Sequence, residues 1–268
     1  MDVQEKVVEK LKEMTGCKHV FLLDRGNSAV FLAMYVIKTR GLKLAIPDQG
    51  GWFTYKDYPK KLDLSYLEYP TDYAQATEES FQNPKGKAYF ICHPGGYFVQ
   101  QKLGMIRQKI EFFVLDASGS IGNDDVKNSR ADIIFGSFGK WKPVNLGKGG
   151  FFATNSDEIV DIAKIMMEQH KFKPEASEAE MLLRLLNRVK ERYNLFEEHC
   201  QKIKQDLKEF EILHMDSHGI NVVIKTDNLH DKDQVMQYCD ENNYEFTQLP
   251  RYIRADCDGI SIEVKRLE

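Results

Sequence analysis

The 268-residue sequence has no apolar run long enough to span a membrane, no C-x-x-C pair, no excess of positive charge, no internal repeat and no low-complexity segment. Each absence excludes something. The charged opening "MDVQEKVVEKLKEM" lacks the apolar centre of a secretory signal, so a cytosolic protein without membrane attachment is expected. Five cysteines, Cys17, Cys92, Cys200, Cys239 and Cys257, are an odd number without paired spacing, which indicates neither a disulfide framework nor a zinc knuckle. The neighbours Cys92-His93 and His199-Cys200 lack further ligands at metal spacing, so no metal is expected. A formal charge of -4 and a pI near 6.0 argue against a nucleic-acid-binding face.

What is present reads as a globular α/β chain. Val3, Val7, Leu11 and Met14 recur at spacings of three and four and predict a first helix that stops at Gly16. Short apolar runs follow: "HVFLLD", "LKLAIP", "SYLEYP", "KAYFICHP", "FFVLDASG", "ADIIFGSF" and "GGFFATN". Helical stretches interrupt them, among them "RGNSAVFLAMYVIKTRG", capped by Asn27 or Ser28, and "QKLGMIRQK". This alternation predicts a three-layer arrangement, a mainly parallel sheet with helices on both faces. The composition shifts near Lys171 to Pro174, which places a large domain at residues 1–174 and a small one at 175–268. Ser177 with Glu180 forms a capping-box pattern that opens one long bridging helix through about Lys208. Its seam is Leu182, Leu186, Val189, Tyr193, Phe196, Cys200, Ile203 and Leu207. "GINVVIKT", a helix in "KDQVMQYCDENN", and "GISIEVKRL" complete a reduced α+β C-terminal domain.

Four strand ends carry polar residues, and ligands of parallel α/β sheets gather at the carboxyl ends of strands. "DRGNSA" leads into a helix whose first N–H groups, with the Ser28 hydroxyl, suit a phosphate; the same residues also suit an ordinary cap. Asp116 follows four apolar residues, and a buried carboxylate there needs a cation such as a protonated ring nitrogen, or else a cap or salt bridge. His93 precedes Pro94-Gly95-Gly96 and has the chemistry to hydrogen-bond a ligand oxygen. In "FGSFGKWKPVNLGKGG" Lys140 and Lys142 stand close to Ser137, but the P-loop spacing fails because Trp141 and Gly149 follow the two Gly-Lys pairs. A nucleotide-binding α/β protein is therefore the weaker reading. A lysine amine also forms a Schiff base with an aldehyde once burial or a nearby cation lowers its pKa. A phosphate cradle, a buried acid, a strand-end histidine and a downstream lysine are together what pyridoxal phosphate requires.

With those residues in view, the chain from about 15 to 208 resembles the fold type I pyridoxal-phosphate enzymes, and among them the DegT/DnrJ/EryC1/StrS aminotransferase-like family. "GNSAVFLAM" is similar to the family's phosphate-binding helix start, implying Gly26, Asn27 and Ser28 as phosphate ligands. "IPDQGGWFTY" sits where the family stacks an aromatic residue on the cofactor ring, implying Trp52 with Phe53 as the alternative. "FFVLDASGSIG" resembles V-x-E-D-A-x-x-x-x-G and implies that Asp116 meets the pyridinium nitrogen. "SFGKWKPVNLGKGG" resembles S-F-H-P-x-K-x-x-x-x-G-E-G-G, implying Ser137 as a phosphate ligand and Lys142 as the Schiff-base lysine. Lys140, three residues after Ser137, instead fits the S-x-x-K of class I aminotransferases, so both lysines stay open. Gly119 replaces the usual histidine or glutamine after the acid, His93 is a substitute, and the partner-subunit loop is represented only by "HKFKPEAS". The resemblance implies a homodimeric aminotransferase on a primary amine or amino acid. A lyase or decarboxylase on the same scaffold, and a catalytically idle relative acting through protein contacts, are the alternatives. Arg251 and Arg254 are candidates for a substrate carboxylate because a guanidinium binds it through two bonds.

Overall fold

The computed structural model describes residues 2–174 and 176–267. The strands in chain order are β1 (His19–Leu23), β2 (Lys43–Pro47), β3 (Tyr66–Tyr69), β4 (Thr71–Asp72), β5 (Gln75–Ala76), β6 (Lys87–Cys92), β7 (Phe112–Asp116), β8 (Ile133–Ser137), β9 (Gly150–Thr154), β10 (Glu211–Ile212), β11 (Val222–Lys225), β12 (Phe246–Leu249) and β13 (Gly259–Ile262). The helices are α1 (Val3–Thr15), α2 (Gly26–Thr39), α3 (Thr54–Leu62), α4 (Leu103–Lys109), α5 (Asp124–Asn128), α6 (Asp157–His170), α7 (Ala179–Asn187), α8 (Val189–Asp206) and α9 (Leu229–Glu241).

Seven strands form the main sheet in the order β1-β9-β8-β7-β6-β2-β3. All seven apolar runs of the sequence lie in it. β2, β3, β6, β7 and β8 run parallel, while β9 is antiparallel to both β8 and β1, so β1 points the same way as β8. The mainly parallel α/β expectation holds, with one strand reversed. The alternation of side chains along each strand explains why the runs of the central strands are apolar throughout, while the edge strand β3 carries the exposed Glu68. Tyr89, Ile91, Phe113 and Leu115 pack on one face with Val7 and Leu11 of α1, and Ala88, Phe90, Phe112 and Val114 pack on the other with α2 and α6. The first helix forms as expected: Asp2 and Glu5 exchange capping bonds and Gly16 closes it at φ 70°.

Several elements differ from the sequence reading, which has no counterpart for α3 or β12. α6 was not anticipated, although Ser156 caps it through the Ile159 N–H and Ile159, Val160, Ala163 and Met166 form its buried face. α2 begins earlier than expected, with Arg25, two residues before Asn27, in the cap position and no side-chain cap bond. The expected bridging helix is two helices that break at Arg188 (φ -100°, ψ 3°), and α7 has Glu178 rather than Ser177 in its cap position, with no side-chain bond. The break has a packing reason. Ala179, Leu182 and Leu186 of α7 share the core of α1, whereas Phe196, Cys200 and Ile203 of α8 cover the second sheet, of order β10-β11-β13-β12. One straight helix would leave one of these faces in water.

Candidate active site

Because β1, β6, β7 and β8 are parallel, Asp24, His93, Asp116 and Ser137 emerge at one edge of the main sheet. Glycines bring the edge together. A Cβ on Gly26 would lie 2.4 Å from the Ser137 Cβ, and one on Gly150 would lie 2.9 Å from the Gly26 N. The glycine cluster after Lys142 thus lets β9 and β8 touch the start of α2, a close approach that any side chain would block. Gly149 N–H, bonded to Asp24 O at 3.0 Å, ties the two segments.

The cavity over this edge is lined by Gly26, Asn27, Trp52, Tyr97, Asp116 and Lys142, with Val30, Ser118, Phe135 and Ser137 completing the wall. Asp116 is buried, and its carboxylate accepts from the Tyr55 hydroxyl at 2.5 Å and from the Ser118 N–H at 2.8 Å. These bonds replace water around a buried charge and aim it. Trp52 donates its indole N–H to the Asn27 side-chain oxygen at 3.0 Å, which fixes the ring at the mouth of α2. Phe53, by contrast, is exposed.

The two lysines separate. Lys140 is exposed, with its amine 4.7 Å from the Trp141 ring centre. Trp141 adopts φ 64°, and this left-handed step turns the chain so that Lys142 points inward. Lys142 is buried, donates its amine to the Tyr97 hydroxyl, and lies 5.0 Å from the Trp52 ring centre. Burial pushes its pKa down, Asp116 opposes this and Arg254 adds to it, leaving a value of about 8. The enclosed space is narrow, about 50 Å³, with the Lys142 side chain on its wall reaching across to Tyr97.

Other expected residues lie elsewhere. Ser28 is buried but turns its hydroxyl to Asp24 at 2.6 Å and does not line the cavity. His93 lines a separate cavity of about 210 Å³ with Tyr193, Asn194 and His218. Its Nδ1 accepts from the Gln101 N–H at 3.3 Å, and burial lowers its pKa to about 4 against the opposing pull of Asp125. Arg254 is buried in a two-bond pair with Glu263, at 2.9 and 2.6 Å, so its guanidinium is not free for a substrate carboxylate. Arg251 is exposed, 5.9 Å from the Phe53 ring centre. Tyr55, Tyr97 and Ser118 were missed by the sequence reading. The adjacency of Ser118 to Asp116 was a local signal for one of them; the tyrosines reach the site only through the tertiary fold. Among the described residues no group of three or more His, Cys, Asp or Glu is placed to hold a metal, and no helix is long and apolar enough to cross a membrane.

Comparison with solved structures places this geometry. 3-Amino-5-hydroxybenzoic acid synthase superimposes with a TM-score of 0.77 at 13% identity, over 100% of this chain and 87% of that one. A DegT/DnrJ/EryC1/StrS aminotransferase from Brucella abortus gives a TM-score of 0.73 at 14% identity, over 98% of this chain and 85% of that one. The fold is that of the fold type I pyridoxal-phosphate enzymes. NtdA from Bacillus subtilis, solved with the cofactor PMP bound, gives 0.70 at 16% identity over 92% of this chain, which spans 64% of that longer protein. By sequence, residues 190–268 match the MJ1341 family C-terminal domain, which begins within α8, just past the Arg188 break. No curated protein matches the sequence.

Proposed function

We propose that this chain is a cytosolic, homodimeric pyridoxal-phosphate enzyme that transaminates a primary amine or amino acid, with Lys142 as the residue that holds the cofactor covalently. The observation that carries the reading is the Lys142 amine, buried among Trp52, Tyr97 and Asp116 with a pKa lowered to about 8. A lysine in this state has a useful neutral fraction at physiological pH and is the nucleophile an aldehyde needs. The rest of the donor set suits the same group. The first turn of α2 has no side-chain cap, and Gly26, Asn27 and Ser137 line the cavity beside it, a setting that favours a phosphate. Asp116, oriented by Tyr55 and Ser118, would keep a ring nitrogen protonated, and Trp52 offers a fixed aromatic plane. When bound, pyridoxal phosphate supplies an aldehyde that links to amines and a ring that withdraws electrons from the adjoining carbon. Lys142, released from it by a substrate amine, would then hold or return the proton at that carbon.

The narrowness of the cavity, about 50 Å³, favours a second reading, a catalytically idle relative that acts through protein contacts. One experiment separates the two. The purified protein is incubated with pyridoxal phosphate, reduced with borohydride, and digested for peptide mass spectrometry. Label on Lys142 is the expected result; label on Lys140 alone would move the assignment, and no label on either would leave the idle reading.

A further inference from the structure

Tyr97 belongs to two parts of the molecule at once. It follows β6 in the main sheet's loops, yet its ring is packed in the core of the C-terminal unit with Phe196, Ile220, Val222 and Val264. Its backbone adopts φ 71°, and its carbonyl accepts from the Ile220 N–H at 2.8 Å, so the ring is held from both sides of the junction. Three cations surround it: Lys142 at 4.3 Å, Arg254 at 5.0 Å and Lys265 at 5.3 Å from the ring centre. Arg254 and Lys265 are in turn anchored on the buried Glu263, which also meets Asn221 at 3.1 Å, Ser261 at 3.0 Å and Arg266 at 3.8 Å. The outcome of this clamp is a phenol hydroxyl aimed at the Lys142 amine.

We infer that Tyr97 is the positioning residue of Lys142: its hydroxyl holds the amine in the cavity and favours its protonated form, and the C-terminal unit sets that hydroxyl through Arg254, Lys265 and Glu263. The role of this contact in catalysis rests on the function proposed above; the contact itself does not. A phenol suits the task because it accepts from an ammonium and donates to a neutral amine, so the pair stays bonded in both states. Burial and the neighbouring Cys92 and Asp116 raise the Tyr97 pKa well above its ordinary value, which keeps the phenol neutral while Lys142 titrates. The charged and titratable groups that act on Lys142 are Asp116 of β7, Cys92 of β6, and Arg254, Glu263 and Lys265 of the C-terminal unit.

The test uses the cofactor-free protein. Trace acetylation with acetic anhydride across a pH series, read by peptide mass spectrometry, gives the pH midpoint at which Lys142 becomes reactive, with exposed Lys140 as the reference in the same segment. Tyr97→Phe is expected to lower that midpoint by about one unit, the scale of a lost hydrogen bond to a charged group. Incorporation of 3-fluorotyrosine at position 97, a near-isosteric change that weakens the acceptor, should move it the same way by less and guards against misfolding. Tyr69→Phe, which removes a buried hydroxyl bonded to the Phe90 carbonyl at 2.8 Å, should leave it unchanged. An unmoved midpoint in the folded Tyr97→Phe and fluorotyrosine proteins overturns the inference, whatever borohydride trapping shows. Absence of trapped cofactor with a shifted midpoint would instead retire the enzyme reading and leave the contact standing.

Discussion

Replacing Lys142 by methionine should stabilise the cofactor-free protein at neutral pH, and in alkali the gain should vanish and turn into a loss. With its pKa lowered from 10.5 to about 8, the buried amine carries a penalty of roughly 3 kcal/mol in its charged form. Methionine keeps most of the apolar stem and removes the charge. It also leaves the Tyr97 hydroxyl without its partner, which costs about 1–2 kcal/mol. The variant is therefore expected to be about 1–2 kcal/mol more stable at pH 7. The pH dependence follows from proton binding. Between pH 8 and 10.5 the unfolded chain binds the Lys142 proton more than the native one does, so wild-type stability rises through that window while this contribution is absent from the variant. Other titrating groups are common to both proteins and largely cancel in the difference. Urea unfolding of both proteins at pH 7 and pH 10 measures it. A variant less stable than wild type at pH 7, or a difference that is the same at both pH values, would refute the assignment of Lys142 as a buried, desolvated amine.

Two further perturbations probe the frame around it. Gly26→Ala forces a Cβ to 2.4 Å from the Ser137 Cβ, so the start of α2 must move away from β8; a stability loss of about 1–3 kcal/mol and a weakening of pyridoxal-phosphate binding by about tenfold or more are expected, read by urea unfolding and by equilibrium titration. Glu263→Gln leaves Arg254 and Lys265 buried without their carboxylate and should cost about 3–5 kcal/mol in the same unfolding assay. Burial pushes the Glu263 carboxyl up, but Arg254 and Lys265 outweigh it and hold it well below 4.5, so wild type keeps this stabilisation above pH 4.5 and loses it as the pH falls further, while the variant shows no such loss from this site.

The legible part of this protein was the local part. The central strands of the main sheet announced themselves as unbroken apolar runs, because a parallel sheet covered on both faces asks every residue to be apolar. Val3, Val7 and Leu11, with Gly16, marked α1 for the same kind of reason, a period and a stop. α8 was legible too, but its union with α7 was an error: the three-and-four spacing of Leu186, Val189 and Tyr193 continues across Arg188, and periodicity alone does not reveal that the two segments serve different cores. The reversal of β9 was equally hidden, since direction leaves no mark on a run such as "GGFFATN".

By its order alone the sequence determined which chemistry stands at the strand ends: Asp116 closing β7, Ser137 closing β8, and Lys140 and Lys142 a few residues on. Only the tertiary structure decided which lysine enters the cavity, through the left-handed step at Trp141, and which arginine is spent, through the pairing of Arg254 with Glu263. It also decided that Tyr55 and Tyr97 face the site, 61 residues from Asp116 and 45 residues from Lys142 along the chain. The physical reason is the range of the forces involved. Periods, caps and turns are settled by neighbours a few bonds away, whereas the charge state of a buried amine is settled by whatever the folded chain brings within a few ångströms of it.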